Sequence, residues 1–379
     1  MATDDTTPPE RRRIPVAEPA LVGKEHEYVA DCLATNWISS AGRYVDAFET
    51  AFADFCGMEH ALSCANGTVA LHLALMAEGI GPGDEVIVPT LTYVATANCV
   101  RYCGATPVFV DSERETWNLD PELIEDAVTE RTRGIVAVHL YGHPANMDPI
   151  MGIADRHGLW VIEDAAEAHG ARYKDRIAGS IGTSAIFSFY GNKIITTGEG
   201  GMVVTNDTDR AARMRILKGQ GQDPGRRYWF PVVGYNYRLT NVAAAIGLGQ
   251  LERVDWHLGR RRENAEWYRA DLESVDWLSV SPEADWASNA YWMTCGLLHA
   301  NAPVGRDELM KRLEQEGVET RPFFYPLHTL PPYREDAGGR SFPVAEELAA
   351  GGLNLPSSAL LKRDDVSYVA QAIKAVGGG

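Results

Sequence analysis

The chain has 379 residues, 45% hydrophobic and 23% charged, the balance of a globular protein long enough for two domains or for one large domain with a smaller appendage. Thirty-five Lys and Arg against 52 Asp and Glu leave a net charge of −17, which argues against a general binder of nucleic acid or anionic membrane. The six cysteines (Cys32, Cys56, Cys64, Cys99, Cys103 and Cys295) show no paired CxxC spacing, so buried thiols rather than a metal site are expected. The polar, acidic, Pro-rich leader reads as no secretory signal, and no run of about eighteen apolar residues spans a bilayer, so the cytoplasm is the expected location.

Residues 1–13 cannot bury apolar surface and are predicted to be disordered, with Arg11, Arg12 and Arg13 solvated. A helix is predicted over 25–34, a turn-rich segment at 36–42 carrying Trp37, and a helix over 44–55 whose Phe48, Phe52 and Phe55 pack. From Ala61 short Val/Ile-rich runs alternate with helices. Strands are expected at 61–64, 86–88, 108–110, 135–140 and 159–162, and helices at 69–78, 95–102, 121–128 and 149–156. That rhythm predicts a mostly parallel sheet covered on both faces, with ligands at the carboxyl ends of its strands. A helix through 214–217 follows, then the Gly/Pro-rich segment 219–241, too rich in Arg and aromatic residues for a passive linker. Helix 243–254 closes a large domain, 14–255. The remainder, 256–379, reads as a small domain with helices at 259–272 and 306–316, a strand at 291–298, an irregular passage at 321–333 and closing helices.

The stretch that organises the chain is 187–204, in which Lys193 lies between two apolar strand-like runs and is followed by Gly198, Gly200 and Gly201. A lysine in low-dielectric surroundings has a lowered pKa, as an imine-forming amine requires; alone, the stretch would also suit an exposed hairpin lysine. Asp164 ends the run Trp160–Ile162 and needs a cation or several donors, which a protonated pyridine nitrogen would supply; a helix cap or a metal-facing carboxylate is the other reading. Asn66, Gly67 and Thr68 open a helix and make an anion site or a simple cap. Ser188 is a second phosphate donor candidate. Neither a Walker loop nor a G-x-G-x-x-G after the first strand is present.

These motifs, SFYGNKIITTGEGGMVVTND with EDAAEAHGA, CANGTVALHLAL, PTLTYVATAN and GYNYRLTNVAAAIG, closely resemble the DegT/StrS-type sugar aminotransferases, over about residues 14–375. The resemblance implies an α/β pyridoxal phosphate-dependent transferase of fold type I, with a mostly parallel central sheet and a smaller C-terminal α+β domain. It implies Lys193 as the Schiff-base lysine and proton shuttle, Asp164 at the ring nitrogen, Glu167 beside the ring hydroxyl and Tyr93 stacked on the ring. Gly67, Thr68 and Ser188 would hold the phosphate, joined by Asn236 from a neighbouring subunit, and hence a homodimer is implied. NWISSAGRY, HLYGHPANMDPI, RRYWFPVVGYNYR and GLNLP look most like members that aminate C4 of GDP-4-keto-6-deoxymannose with L-glutamate, through a pyridoxamine 5'-phosphate form.

Substrate contacts are expected in the loops at 36–43, 219–238 and 321–333, from Trp37, Arg227, Tyr228, Arg238, Arg321 and His328. A guanidinium fork suits carboxylate or diphosphate, while a surface ion pair is the other reading of Arg238 and Arg321. His169 is either a site residue or a packed histidine. C3 amination, a dTDP- or UDP-linked keto sugar, an amino-cyclitol ketone and a non-catalytic protein on the same fold are the alternatives. Intact Lys193 and Asp164 argue against the last.

Overall fold

The computed structural model describes residues 12–378. Most of the leader lies outside these residues. Arg12, expected to be solvated, instead pairs with Asp365 at 2.6 Å and stacks over Tyr368, because a neighbouring helix offers both a carboxylate and a ring face.

The large unit is a seven-stranded sheet. In chain order its first part runs α1 (Glu25–Ala34), α2 (Arg43–Cys56), β1 (His60–Cys64), α3 (Gly67–Ala77), β2 (Glu85–Pro89), α4 (Ala95–Tyr102), β3 (Thr106–Val110), β4 (Thr132–Val138), α5 (Met147–His157) and β5 (Trp160–Asp164). Then come the two-residue strands β6 (Arg172–Tyr173) and β7 (Arg176–Ile177), followed by β8 (Ser184–Ser188), β9 (Gly201–Thr205), α6 (Thr208–Lys218) and α7 (Asn241–Leu251). The sheet order is β1-β9-β8-β5-β4-β2-β3, and β9 alone runs against the rest. Its strands are buried almost throughout, as a sheet with both faces covered requires. On α2, Phe48 and Phe52 are four residues apart and fully buried, and Gly57 ends the helix at φ 67°, a conformation glycine adopts without strain.

The chain continues through α8 (Val254–Leu272), β10 (Leu278–Val280), β11 (Ala287–Ser288), β12 (Cys295–Leu298), α9 (Arg306–Gln315), β13 (Arg321–Pro322), α10 (Pro343–Gly351), β14 (Gly352–Asn354) and α11 (Arg363–Val376). An antiparallel sheet β10-β12-β14-β13 packs with α8, α9 and α11 around a second core containing Tyr268, Leu309, Leu353 and Val369. Phe323, Leu327 and Tyr333, by contrast, join the core of the large sheet, and this brings residues around β13 over the sheet's carboxyl edge.

Three predicted elements differ. The helix expected at 121–128 is two short 3-10 turns, Pro121–Leu123 and Glu125–Ala127, because Val128 is already extended. The strand expected through Leu140 stops at Val138, since Tyr141 turns the chain at φ 53°. The strand expected from Tyr291 begins at Cys295. Tyr291 itself has φ 47° in a tight turn held by Asn289 and by Ala290 N–H donating to the Gly142 carbonyl.

Candidate active site

Lys193 lies in the connection from β8 to β9, in a turn closed by its own N–H on the Tyr190 carbonyl. Its side chain is 12% exposed, and Nζ is 3.4 Å from Glu167 Oε1. The ring of Trp292 lies beneath the amine, with its centroid 3.8 Å away. Burial pushes the Lys193 pKa down against the attraction of Glu167 and Asp164, and burial pushes Glu167 up. Burial thus works against the charged form of both groups, and the Glu167 carboxyl also accepts the Tyr141 N–H at 2.8 Å.

Asp164 is the last residue of β5. Its carboxylate takes one hydrogen bond from Thr96 Oγ1 at 3.0 Å and one from Ala166 N–H at 3.2 Å. Thr96 is on α4 in the turn after Tyr93, and its hydroxyl meets that of Thr92. No cation pairs with Asp164 among the described residues, and burial raises its pKa. A buried carboxylate short of donors is the partner a pyridinium N–H requires.

The other end of the site is the start of α3. The Asn66 side chain accepts the Val69 N–H at 2.9 Å, while the amides of the first helical turn have no carbonyl behind them. A Cβ on Gly67 would stand 2.7 Å from Ser188 Cβ and 3.1 Å from its Oγ, so only glycine lets helix and strand end meet. A Cβ on Gly201 would overlap the Asn66 carbonyl. Gly67, Thr68 and Ser188 therefore share one corner, with helix-dipole amides and a hydroxyl for an anion. Amine, carboxylate and anion corner together fit pyridoxal phosphate: an amine for its aldehyde, an acid for its ring nitrogen, donors for its phosphate.

The outer side is aromatic. Tyr93, 56% exposed, has its ring centroid 5.7 Å from that of Phe324. Phe324 stacks on Tyr141 at 5.4 Å, and Tyr141 stacks on Trp292 at 6.2 Å. Asn236 is exposed and accepts from Arg238 at 3.0 Å, on a segment that pairs with Cys64 immediately before the anion corner. Arg227 and Tyr228 are exposed and touch each other, and the Trp37 indole is exposed while its carbonyl accepts from Asn241 at 2.6 Å.

Of the expected substrate contacts, one has all its polar atoms engaged and another has one surface partner. His328 is buried with Nδ1 on Thr90 at 2.7 Å and Nε2 on Glu346 at 3.1 Å, which leaves it no nitrogen for a substrate. Arg321 is exposed and 3.4 Å from Glu319, a surface ion pair. His169 is packed among Phe52, Phe187 and Phe189, and burial lowers its pKa to about 3.

Sequence reasoning missed Thr96, Tyr141, Trp292 and Arg261. Arg261, on α8, is buried and donates to the carbonyls of Trp292, Ser357 and Lys193 at 2.6, 2.9 and 3.3 Å. Thr96 carried a signal, being one helical turn from Thr92 in PTLTYVATAN. The others carried none, since Tyr141 and Trp292 reach the site through positive-φ turns and an arginine inside a charged helix reads as surface.

A model of the DegT/DnrJ/EryC1/StrS aminotransferase family matches residues 19–374. The chain is 53% identical to GDP-perosamine synthase of Caulobacter vibrioides over 96% of its own length and 98% of that protein's. It is 49% identical to GDP-perosamine synthase of Escherichia coli O157:H7, over 95% and 97%. Among solved structures, DesV of S. venezuelae, in complex with a ketimine intermediate, superposes with a TM-score of 0.90 at 36% identity, over 97% of this chain and 99% of that one.

Proposed function

The chain belongs to the DegT/DnrJ/EryC1/StrS aminotransferase family, and from that premise we propose that it moves an amino group from L-glutamate to C4 of GDP-4-keto-6-deoxymannose, giving GDP-perosamine in the cytoplasm. The substrate reading is supported by its near-full-length likeness to two proteins called GDP-perosamine synthase. The observation that carries the chemistry is the buried Lys193 amine, 3.4 Å from Glu167 and held against desolvation by the charges of Glu167 and Asp164, with Asp164 lacking a paired cation among the described residues.

Pyridoxal phosphate, when bound, supplies an electron sink and carries the amino group between the two substrates. Asp164 would hold the proton on its ring nitrogen, and Thr96 orients that carboxylate. Gly67, Thr68 and Ser188 would hold the phosphate, and Tyr93, in contact with Phe324, would supply an aromatic face for the ring. Lys193 Nζ takes the proton from the glutamate Cα and later returns a proton to C4 of the sugar, a task suited to an amine whose pKa burial has lowered. Glu167, fixed by the Tyr141 N–H, keeps that amine within the site. Two substrates using one site in turn give ping-pong kinetics.

The working form in this reading is a homodimer. Asn236 and Arg238 are exposed beside the anion corner, and Tyr228, Trp229, Phe230 and Val233 make an exposed apolar run on the same segment, a surface that a second copy would cover while lending Asn236 to its phosphate.

The test is to load the purified chain with pyridoxal phosphate, add glutamate, and follow the cofactor's absorbance and the appearance of 2-oxoglutarate. GDP-4-keto-6-deoxymannose is then supplied beside its dTDP-linked counterpart, and products are weighed by mass spectrometry. Conversion of the GDP sugar, absent in Lys193→Ala, is the expected result. Preference for the dTDP sugar would overturn the substrate, and an unresponsive cofactor band would overturn the donor.

A further inference from the structure

Around Lys193 the contacts form a closed circuit that the transfer chemistry described above does not use. The indole N–H of Trp292 donates to the Asn192 carbonyl at 2.8 Å. The carbonyl of Trp292 and the carbonyl of Lys193 both accept from buried Arg261. The indole face carries Nζ at 3.8 Å from its centroid, close to the distance of Nζ from Glu167. One residue of the C-terminal unit thus fixes the backbone on which Lys193 stands and also faces its amine. An aromatic face attracts an ammonium and not a free amine, and the attraction grows when water is excluded.

We propose that Trp292 is a positioning residue for Lys193: its indole face receives the amine whenever that amine is not bonded to the cofactor and steadies it in the protonated state. In the reading of Lys193 as the proton carrier, on which this inference rests, the carrier has to hold its proton between two transfers without losing it to water. The other groups facing the amine are Glu167 and Asp164, which attract the ammonium, and Arg261, which repels it. His169, held neutral by burial, adds no charge. Trp292 adds attraction without a third carboxylate that could take the proton away.

The test reads Lys193 directly. The full chain, freed of cofactor, is pulsed with acetic anhydride across a pH series, and acetylation at Lys193 is measured by mass spectrometry in wild type, Trp292→Phe and Trp292→Leu. Leucine keeps an apolar filling without a ring face, so its labelling midpoint should fall by about 0.4–1.5 pH units. Phenylalanine keeps a face but loses the N–H to Asn192, and its midpoint should stay nearer wild type. With cofactor and both substrates present, the leucine variant should lose kcat with little change in the KM for glutamate. A leucine midpoint equal to wild type overturns the proposal. So does a phenylalanine midpoint as low as leucine's, which would make the loop anchor the cause. If Trp292→Leu does not fold, Trp292→Met takes its place. Because labelling needs neither substrate, a wrong sugar or amino donor would leave this result standing.

Discussion

Glu163 and Asp164 are neighbours on β5, both buried, and point to opposite faces of the sheet as strand geometry requires. Glu163 is fully provided for. It accepts from the amides of Gly179, Ile181 and Gly182 at 2.8, 2.6 and 2.7 Å, and from His139 Nε2 at 2.9 Å. The tautomer is set because His139 Nδ1 accepts the Ala145 N–H at 3.0 Å. Burial opposes ionisation of Glu163, yet these donors hold its pKa below the ordinary value. Asp164 has two donors, and burial prevails. One face of the strand has a finished carboxylate that ties β5 to the 179–182 turn; the other has one with two donors and no paired cation among the described residues.

The strongest way to break this comparison is to remove the finished group. Glu163→Ala strands three amides and a histidine, and should cost about 3–5 kcal/mol, read by chemical denaturation of the cofactor-free chain. Asp164→Asn should do the reverse. Its activity falls by about 10²–10³-fold, the scale seen when one stabilising group is removed from a reacting centre. Its cofactor-free stability at neutral pH rises by about 1–2 kcal/mol, because an underpaired buried charge is gone.

The pH dependences have opposite signs. A raised pKa means that native Asp164 holds its proton more tightly than the unfolded chain does, so stability is lost as pH rises from the ordinary carboxyl value through the raised one. The depressed pKa of Glu163 contributes stability present above the ordinary value and lost as pH falls through the folded one. Denaturation midpoints of Asp164→Asn against wild type across mildly acidic pH should therefore diverge as pH rises. Parallel curves would remove the distinction between the two faces.

Gly67→Ala comes next in size. The added Cβ meets Ser188 across the anion corner, so about 1–3 kcal/mol of overpacking is expected, together with weaker retention of pyridoxal phosphate on dialysis. Equal retention by the variant would show that the helix start and Ser188 do not share one anion.

How far the sequence carried this contrast follows from the same residues. The alternating rhythm identified the sheet and put Lys193, Asp164 and Gly67 at or just past the carboxyl ends of its strands, where such sheets take ligands. It could not separate Glu163 from Asp164. Which face of a strand is finished depends on the amides of residues 179–182 and on His139, distant in sequence and aligned only by the fold. Trp292 and Tyr141 were illegible for a related reason: each enters the site through or beside a left-handed turn that no local pattern announces. Its place in a loop does not make His328 available, because Thr90, distant in sequence, and Glu346, on another element, use its two nitrogens.

Arg321 gives the smallest effect on folding and the finest test. Unlike Arg261, which is buried and held by three carbonyls, Arg321 is exposed, with only Glu319 beside it at 3.4 Å. Screening leaves such a pair little stabilising value, so Arg321→Ala should shift folding stability by no more than about 0.5 kcal/mol. Its exposed guanidinium has more N–H groups than the single Glu319 oxygen beside it takes up, and in the reading of Arg321 as a glutamate contact it would bind the substrate carboxylate alike in ground and transition states. The expected result is a KM for glutamate raised about tenfold with kcat unchanged, the signature of lost uniform binding. An unchanged KM would place Arg321 among the finished groups, as a surface partner of Glu319 alone.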